Sequence, residues 1–387
     1  MRDNPAAPAG TAERAAAAAD AAFGADLYQV LAGDTGSTVF SPASVASALR
    51  MALSGARGQT AAELARALHV DPSSRPGDVA ASGLSLISPG RDGGSAVFRA
   101  PNTVWVQSGL PLRAEFTGRL SRADAALAGA DFAAAPEAAR AEINRAIAAQ
   151  TEGKITGLLA SGAITALTRL VLASAVYLKA AWAQPFPERG TADAPFYPDG
   201  PDGQALAVPM MRGAAARSYL RGDGYQAVLL PYQDIGLAMA VLLPDGPLTA
   251  LRPKIAAAGL GGLLAGTATH QVTLSLPRFR LEAAFDLIPA LERLGVIEAF
   301  GDDADFGGIT GAEPLQIGAV AHKAYIDVDE RGTEAAAATA VMIKTRAAMR
   351  PPQPVTMVVD RPFVFAIIDT ATRLPVFLGQ VSRPGAG

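Results

Sequence analysis

Few side chains in this chain could carry out catalysis. His69, His270 and His322 are its only histidines, and cysteine is absent. Disulfides, thiolate metal sites and cysteine nucleophiles are therefore excluded within it. No HExxH, GxSxG or GxxxxGK[ST] pattern occurs, so zinc peptidase, esterase-elbow and phosphate-loop chemistry lack their scaffolds. Gly259-Leu260-Gly261-Gly262 has no further glycine where a dinucleotide loop needs one, and Glu152-Gly153-Lys154 only imitates the end of a P-loop. The chain reads as a non-enzyme that needs neither metal nor cofactor.

A different kind of chemistry is suggested by residues 332–340, GTEAAAATA, which lie between two strand-like runs. An alanine run ordinarily favours helix, so one reading is an exposed helix leading into a proline-rich connector. The other follows from a period of two. Extended, Thr333, Ala335, Ala337 and Thr339 share one face, all small enough to slide beneath neighbouring strands, while Glu334 faces solvent. Gly332 provides backbone freedom at the pivot, and neither Ala336 nor Ala338 adds bulk. A loop able to enter a sheet stores free energy while outside it, because the hydrogen-bond ladder and the burial come only on entry.

The surrounding elements must allow such an entry. The first half reads as mainly helical: residues 11–32, then 43–54 behind Ser41-Pro42, a cap followed by proline at the first helical position. Thr60-Ala61-Ala62-Glu63 has the capping-box spacing for a helix over 61–68, and a further helix is predicted over 136–150. Strands follow at 170–179, 227–232, 237–243, 272–276, 318–330, 363–369 and 376–381, interrupted by one helix over 285–294. Helices first and strands later, without βαβ alternation, predict an α+β fold with large mixed or antiparallel sheets.

Half of the 387 residues are hydrophobic and 18% are charged, ample for a packed core. The irregular stretches 71–94 and 184–203 read as loops, so a single domain over 1–387 is predicted, with 1–20 a flexible extension. The net charge of −3, without a basic stripe, argues against nucleic acid. Only five of the 33 basic residues are lysine, which reads as the codon bias of a GC-rich genome. No apolar stretch approaches the roughly 18 residues of a membrane span, and Glu13, Arg14, Asp20 and Asp26 interrupt any signal-peptide core.

Asp329-Glu330-Arg331-Gly332-Thr333-Glu334-Ala335-Ala336-Ala337-Ala338-Thr339 resembles the hinge of the reactive-centre loop of inhibitory serpins. Asn144 with Thr151-Glu152-Gly153-Lys154-Ile155, the run 170–186, Val208-Pro209-Met210-Met211, Ala321-His322-Lys323-Ala324, Arg361-Pro362-Phe363 and Phe377-Leu378-Gly379 are similar to further serpin blocks, in order. The resemblance spans about residues 21–384 and points to a prokaryotic inhibitory member, a serine protease inhibitor. It implies the serpin fold, helices packed around large sheets with an exposed loop, here 331–354. Counted from Glu330, the seventeenth residue is Arg346, which places the scissile bond between Arg346 and Ala347 and makes a trypsin-like serine protease the partner in a covalent complex. Lys344 and Arg350 are alternative basic sites.

The resemblance also places Ser41, Ser44 and His322 in a polar cluster beneath the central sheet and Trp182 where the loop enters, although a buried His or Trp is ordinarily only a satisfied core residue. Ser174 stands where serpins typically carry Asn, so the network there is expected to be incomplete or bridged by water. Glu330 and Arg278 match a pair near the top of the sheet, which as a surface ion pair would be worth roughly 0–1 kcal/mol. The alternative is a non-inhibitory serpin acting as carrier, chaperone or storage protein, but such chains usually carry charged or bulky residues where Ala335–Ala338 stand. A monomer, secreted or periplasmic, is expected.

Overall fold

The computed structural model describes residues 11–71, 96–123, 125–201, 203–334 and 354–385. Seven α-helices lie among them: α1 Thr11–Leu31, α2 Pro42–Leu53, α3 Gly58–Ala67, α4 Ala114–Arg122, α5 Pro136–Gln150, α6 Arg252–Leu263 and α7 Ile288–Arg293. The strands are β1 Thr38–Phe40, β2 Val97–Arg99, β3 Asn102–Gln107, β4 Ala126–Ala130, β5 Leu170–Ala181, β6 Ala192–Phe196, β7 Leu206–Gly222, β8 Tyr225–Pro231, β9 Leu237–Pro244, β10 Ala268–Pro277, β11 Phe279–Asp286, β12 Ile317–Val328, β13 Gly332–Thr333, β14 Val355–Val358, β15 Phe363–Asp369 and β16 Pro375–Val381.

They form two sheets. A nine-stranded sheet runs β1-β16-β15-β9-β8-β7-β10-β14, with β6 also on β7. A seven-stranded sheet runs β11-β12-β13-β5-β3-β4, with β2 on the far end of β5. β5 explains its own sequence: it is covered on both faces, so it is a continuous apolar run rather than an alternating one. Val171, Ala173, Ala175 and Tyr177 pack with Ile143 and Ile147 of α5 and with Ile155, Leu158 and Leu159 beyond it. Leu170 and Leu172 face the core that holds α2, and Val176, Leu178 and Ala180 face the nine-stranded sheet. α2 is buried along nearly its whole length, as a helix between two sheets must be. Its start is set by Ser41, whose Oγ accepts the Ser44 N–H at 3.1 Å, and by Pro42 at the first helical position.

Several boundaries differ from the sequence reading. The packed chain begins before residue 20: α1 starts at Thr11, Ala17 is buried, and Asp20 is fully buried against Arg50 of α2 at 2.6 Å. The capping box at Thr60 does not form, because α3 starts at Gly58. Thr60 Oγ1 instead accepts the Asp305 N–H, and the Glu63 carboxylate accepts the N–H groups of Ile297 and Glu298. Both side chains thus serve a segment more than 200 residues away, which local spacing cannot reveal. Phe285 and Asp286 end strand β11 rather than start a helix, pairing with His322 and Ala321. The first half also contains β2, β3 and β4, and α6 lies among the later strands.

The Asp20–Arg50 pair joins the first two helices without solvent to share its charge. Asp20→Ala leaves a buried guanidinium unmatched and is expected to cost about 3 kcal/mol, read as a lower urea concentration at the onset of unfolding.

Candidate functional site

The site is a seam in the seven-stranded sheet. β12 runs parallel to β5 over eight register pairs, from Ile317–Leu170 to Tyr325–Tyr177. Beyond Tyr177 the two strands part, and β13 stands between them, antiparallel to both: Thr333 is opposite Val328 on one side and Ala180 on the other. The chain reaches that place through a tight turn. Asp329 Oδ1 accepts the N–H groups of Arg331 and Gly332, and the Asp329 N–H donates to the Gly332 carbonyl at 3.0 Å. Gly332 has φ +155, and a Cβ there would overlap the Ala180 carbonyl oxygen and lie 2.7 Å from Ala181 Cα, so the turn requires glycine. The expected loop 331–354 is corrected at its start, because Gly332 and Thr333 are already strand residues, both paired with β5 and Thr333 with β12 as well. Glu334 is also not turned to solvent: its φ is +51 and its side chain is only 15% exposed.

Aromatic and charged groups surround the seam's mouth. Trp182 stacks on Tyr232 with centroids 4.5 Å apart, and its indole N–H donates to the Asp329 carbonyl at 2.9 Å. The Tyr232 hydroxyl shares a 2.6 Å hydrogen bond with Thr333 Oγ1. Burial drives the Tyr232 phenol pKa well above its ordinary value, so it stays protonated as a bond partner. Arg278 and Glu330 pair at 2.7 Å, and Thr191 also donates to that carboxylate. The pair is not the surface contact expected: Glu330 is 4% exposed at its side chain and Arg278 47%. Burial alone would raise the Glu330 carboxyl, but bonds from Arg278 and Thr191 outweigh it and hold the group below the usual carboxylate range.

Below the mouth, β5 and β12 are bolted to α2. The Ser41 N–H donates to His322 Nε2 at 2.9 Å, so Nε2 is the bare nitrogen and Nδ1 carries the hydrogen. Nδ1 lies 2.8 Å from Ser174 Oγ, which in turn reaches the Ala321 carbonyl at 3.4 Å. His322 and Ser174 are register partners across the seam. The expectation of an incomplete or water-bridged network at Ser174 is thus corrected, because a serine hydroxyl directly opposite the imidazole closes the chain. Ser44 Oγ donates to Asn102 Oδ1 of β3 at 2.8 Å, and Asn102 is the register partner of Ser174 on the other side of β5.

The structure therefore brings Ser41, Ser44, Ser174 and His322 together under the seam, and Trp182, Arg278, Glu330, Gly332 and Thr333 at its mouth. The sequence reading missed Asn102 and Tyr232. Neither belongs to a motif, and only the register of β3 on β5 and the Trp182–Tyr232 bridge reveal them. Ala335, Ala336, Ala337, Ala338, Thr339, Lys344, Arg346, Ala347 and Arg350 lie outside the described residues.

His322 gives the seam a pH dependence. Its imidazole is fully buried, and desolvation pushes its pKa down to about 3, with Ser174 opposing in part. Exposed, it would take up a proton near pH 6.5. The neutral ring's contribution is complete above about pH 6.5 and is lost on acidification toward 3, by about 1.4 kcal/mol per pH unit. Wild type is expected to lose more resistance to urea between pH 7.5 and 5 than His322→Gln. Equal losses in the two proteins would contradict this.

Comparison with known proteins agrees with this architecture. The family model described as "Serpin (serine protease inhibitor)" matches residues 18–384. A serpin-like protein of Thermococcus kodakarensis is 37% identical over 369 residues, covering 94% of this chain and 85% of that one. The leukocyte elastase inhibitor of Sus scrofa is 36% identical over 379 residues, covering 95% of this chain and 99% of that one. Among solved structures, Serpin48 of Tenebrio molitor superposes with a TM-score of 0.83 at 28% identity, covering 97% of this chain and all of that one. With the seam, its glycine turn and the polar bolt in place, and with the match running nearly end to end, this chain belongs to the serpin family of protease inhibitors.

Proposed function

We propose that the chain is a suicide-substrate inhibitor of trypsin-like serine proteases, cleaved between Arg346 and Ala347. The observation that carries this reading is β13: two residues of the hinge already pair with β5, and one of them, Thr333, stands between β12 and β5 in register with both. Continuing the strand would replace one parallel ladder with two antiparallel ones, and antiparallel pairing is slightly more stable per residue. Thr333 points inward to Tyr232. With period two, Ala335, Ala337 and Thr339 follow it onto the buried face, where small side chains are needed.

The protease supplies the covalent chemistry. Its serine oxygen attacks the Arg346 carbonyl carbon, the bond to the Ala347 nitrogen breaks, and that amine leaves with the proton taken from the serine. The acyl-enzyme ester at Arg346 now ends a free segment. The 14 residues from Thr333 to Arg346, at about 3.3 Å each, extend roughly 45 Å, so insertion carries the tethered protease to the far end of the sheet. Distortion of its oxyanion hole there stalls hydrolysis. Inhibition is then a race between insertion and deacylation. A basic residue at 346 sets this chain apart from what the name of the Sus scrofa relative says of its protease.

Mixed near equimolar with trypsin, the protein is expected to give a complex stable in denaturing gels and a released fragment beginning at Ala347 by mass spectrometry. A fragment beginning at Thr345 or Pro351 would move the bond. Complete cleavage without complex, by several Arg- and Lys-specific proteases, would refute inhibition and favour a non-inhibitory role. Thr333→Arg puts a charge against the buried Tyr232 and is expected to turn inhibitor into substrate; persistent complex formation by that variant would count against insertion from Thr333.

A further inference from the structure

The Thr151-Glu152-Gly153-Lys154-Ile155 segment has no part in the proposed reaction, yet it lies against the seam. It follows α5 and is rigidly held. Thr151 Oγ1 donates to the Ile147 carbonyl at 2.8 Å and accepts the Ile155 N–H at 3.2 Å, and Gly153 N–H donates to the Ala148 carbonyl at 2.8 Å. Asn144 binds Leu159 through both its N–H and its carbonyl, and Ile155 is buried against β5 and β12. From this fixed base Lys154 Nζ reaches the Glu334 carboxylate, with which it is ion-paired. Burial first, and then contact with that carboxylate, push the Tyr177 phenol pKa up, which places Tyr177 against the same group.

Glu334 is where the strand stops. Its N–H donates to the Asp327 carbonyl at 3.0 Å as an inserted strand would, but its φ of +51 is left-handed, a conformation costly for a residue with a Cβ. Some interaction must hold it there, and the Lys154 pair is in place to do so. Were the strand to continue, the register Gly332–Ala181 and Thr333–Ala180 would put residue 334 opposite Lys179, with both side chains on one face. The carboxylate thus has one lysine with which it pairs outside the sheet and a second waiting at its place inside.

We propose that Lys154 is a positioning residue for the loop, a latch that holds Glu334 in the left-handed conformation and so delays entry past Thr333, and that entry hands the carboxylate over to Lys179. The proposal rests on the inhibitory reading above, because it concerns the timing of insertion. The two lysines act in opposite directions on one glutamate, which a merely structural role would not produce.

The test uses the intact full chain without protease. Samples are warmed, and conversion to the inserted form is followed as acquired resistance to urea on gradient gels. Lys154→Met and Glu334→Gln are expected to convert about threefold to fivefold faster than wild type, the size of a partly exposed ion pair. Lys154→Arg should behave as wild type, and Lys154→Met combined with Glu334→Gln should be no faster than either alone. Lys179→Met should convert no faster than wild type. Unchanged or slower conversion of Lys154→Met, additive effects in the double variant, or no conversion by any variant would overturn the latch. If Lys154→Met does not fold, Glu334→Gln and the salt dependence of the wild-type rate decide alone: the rate should rise with salt in wild type and not in Glu334→Gln. A wild type that forms no complex with trypsin would refute the function, while the order of these conversion rates would still judge the latch.

Discussion

A parallel ladder stabilises slightly less per residue than an antiparallel one, and here such a ladder, β12 on β5, lies in the interior of a sheet, where a join would be expected to be strongest. Its outer neighbours are antiparallel, β11 on β12 and β3 on β5. Within the interior of the sheet, commitment is therefore lowest along the line where β13 has already parted it; the other parallel join, β4 on β3, lies at the edge. The other features of the site either hold that line closed or stand ready for its opening.

What holds it closed is polar and local. His322 and Ser174 face each other across the seam, and the backbone of Ser41 ties the imidazole to the start of α2. Such bonds are worth little net where water can replace them, but a buried donor left alone is costly. The arrangement therefore resists partial opening more than complete opening, because only an entering strand could satisfy the separated groups again. Packing on the α5 side fits the same need. Ala173, Ala175, Ala319 and Ala321 line the middle of the face below α5, so bulk there is small, while the facing pair Tyr177 and Tyr325 marks its upper end.

How far the sequence discloses this follows from where each signal is written. The glycine pivot at Gly332, the Ser41-Pro42 start of α2 and the apolar run of β5 are local and could be read directly, whereas the turn that begins at Asp329 fell inside the strand expected over 318–330. Arg278, Trp182 and His322 could be placed only through a likeness to other chains, since nothing near them in sequence marks them. Asn102 and Tyr232 were hidden because their partners come from register, and register is a property of the assembled sheet. Thr60 and Glu63 misled for a related reason: a spacing suited to a local cap is equally good for capturing a distant backbone, and tertiary contact decided between the two. Phe285 shows the same competition in a strand that turns into a helix within three residues.

The chain has only two tryptophans, Trp105 and Trp182, and both belong to the seven-stranded sheet region. Trp182 lies face to face with Tyr232 at the mouth, while Trp105 sits on β3 beneath α5, its indole N–H without a hydrogen-bond acceptor among the described residues. One indole thus lies at the mouth of the seam, against Tyr232 at the end of β8, and the other lies level with the seam's far end, where Trp105 is opposite Val171. The molecule carries its own optical record of strand entry: ultraviolet emission from the two rings should shift in sequence, mouth before far end, as a strand travels down the gap.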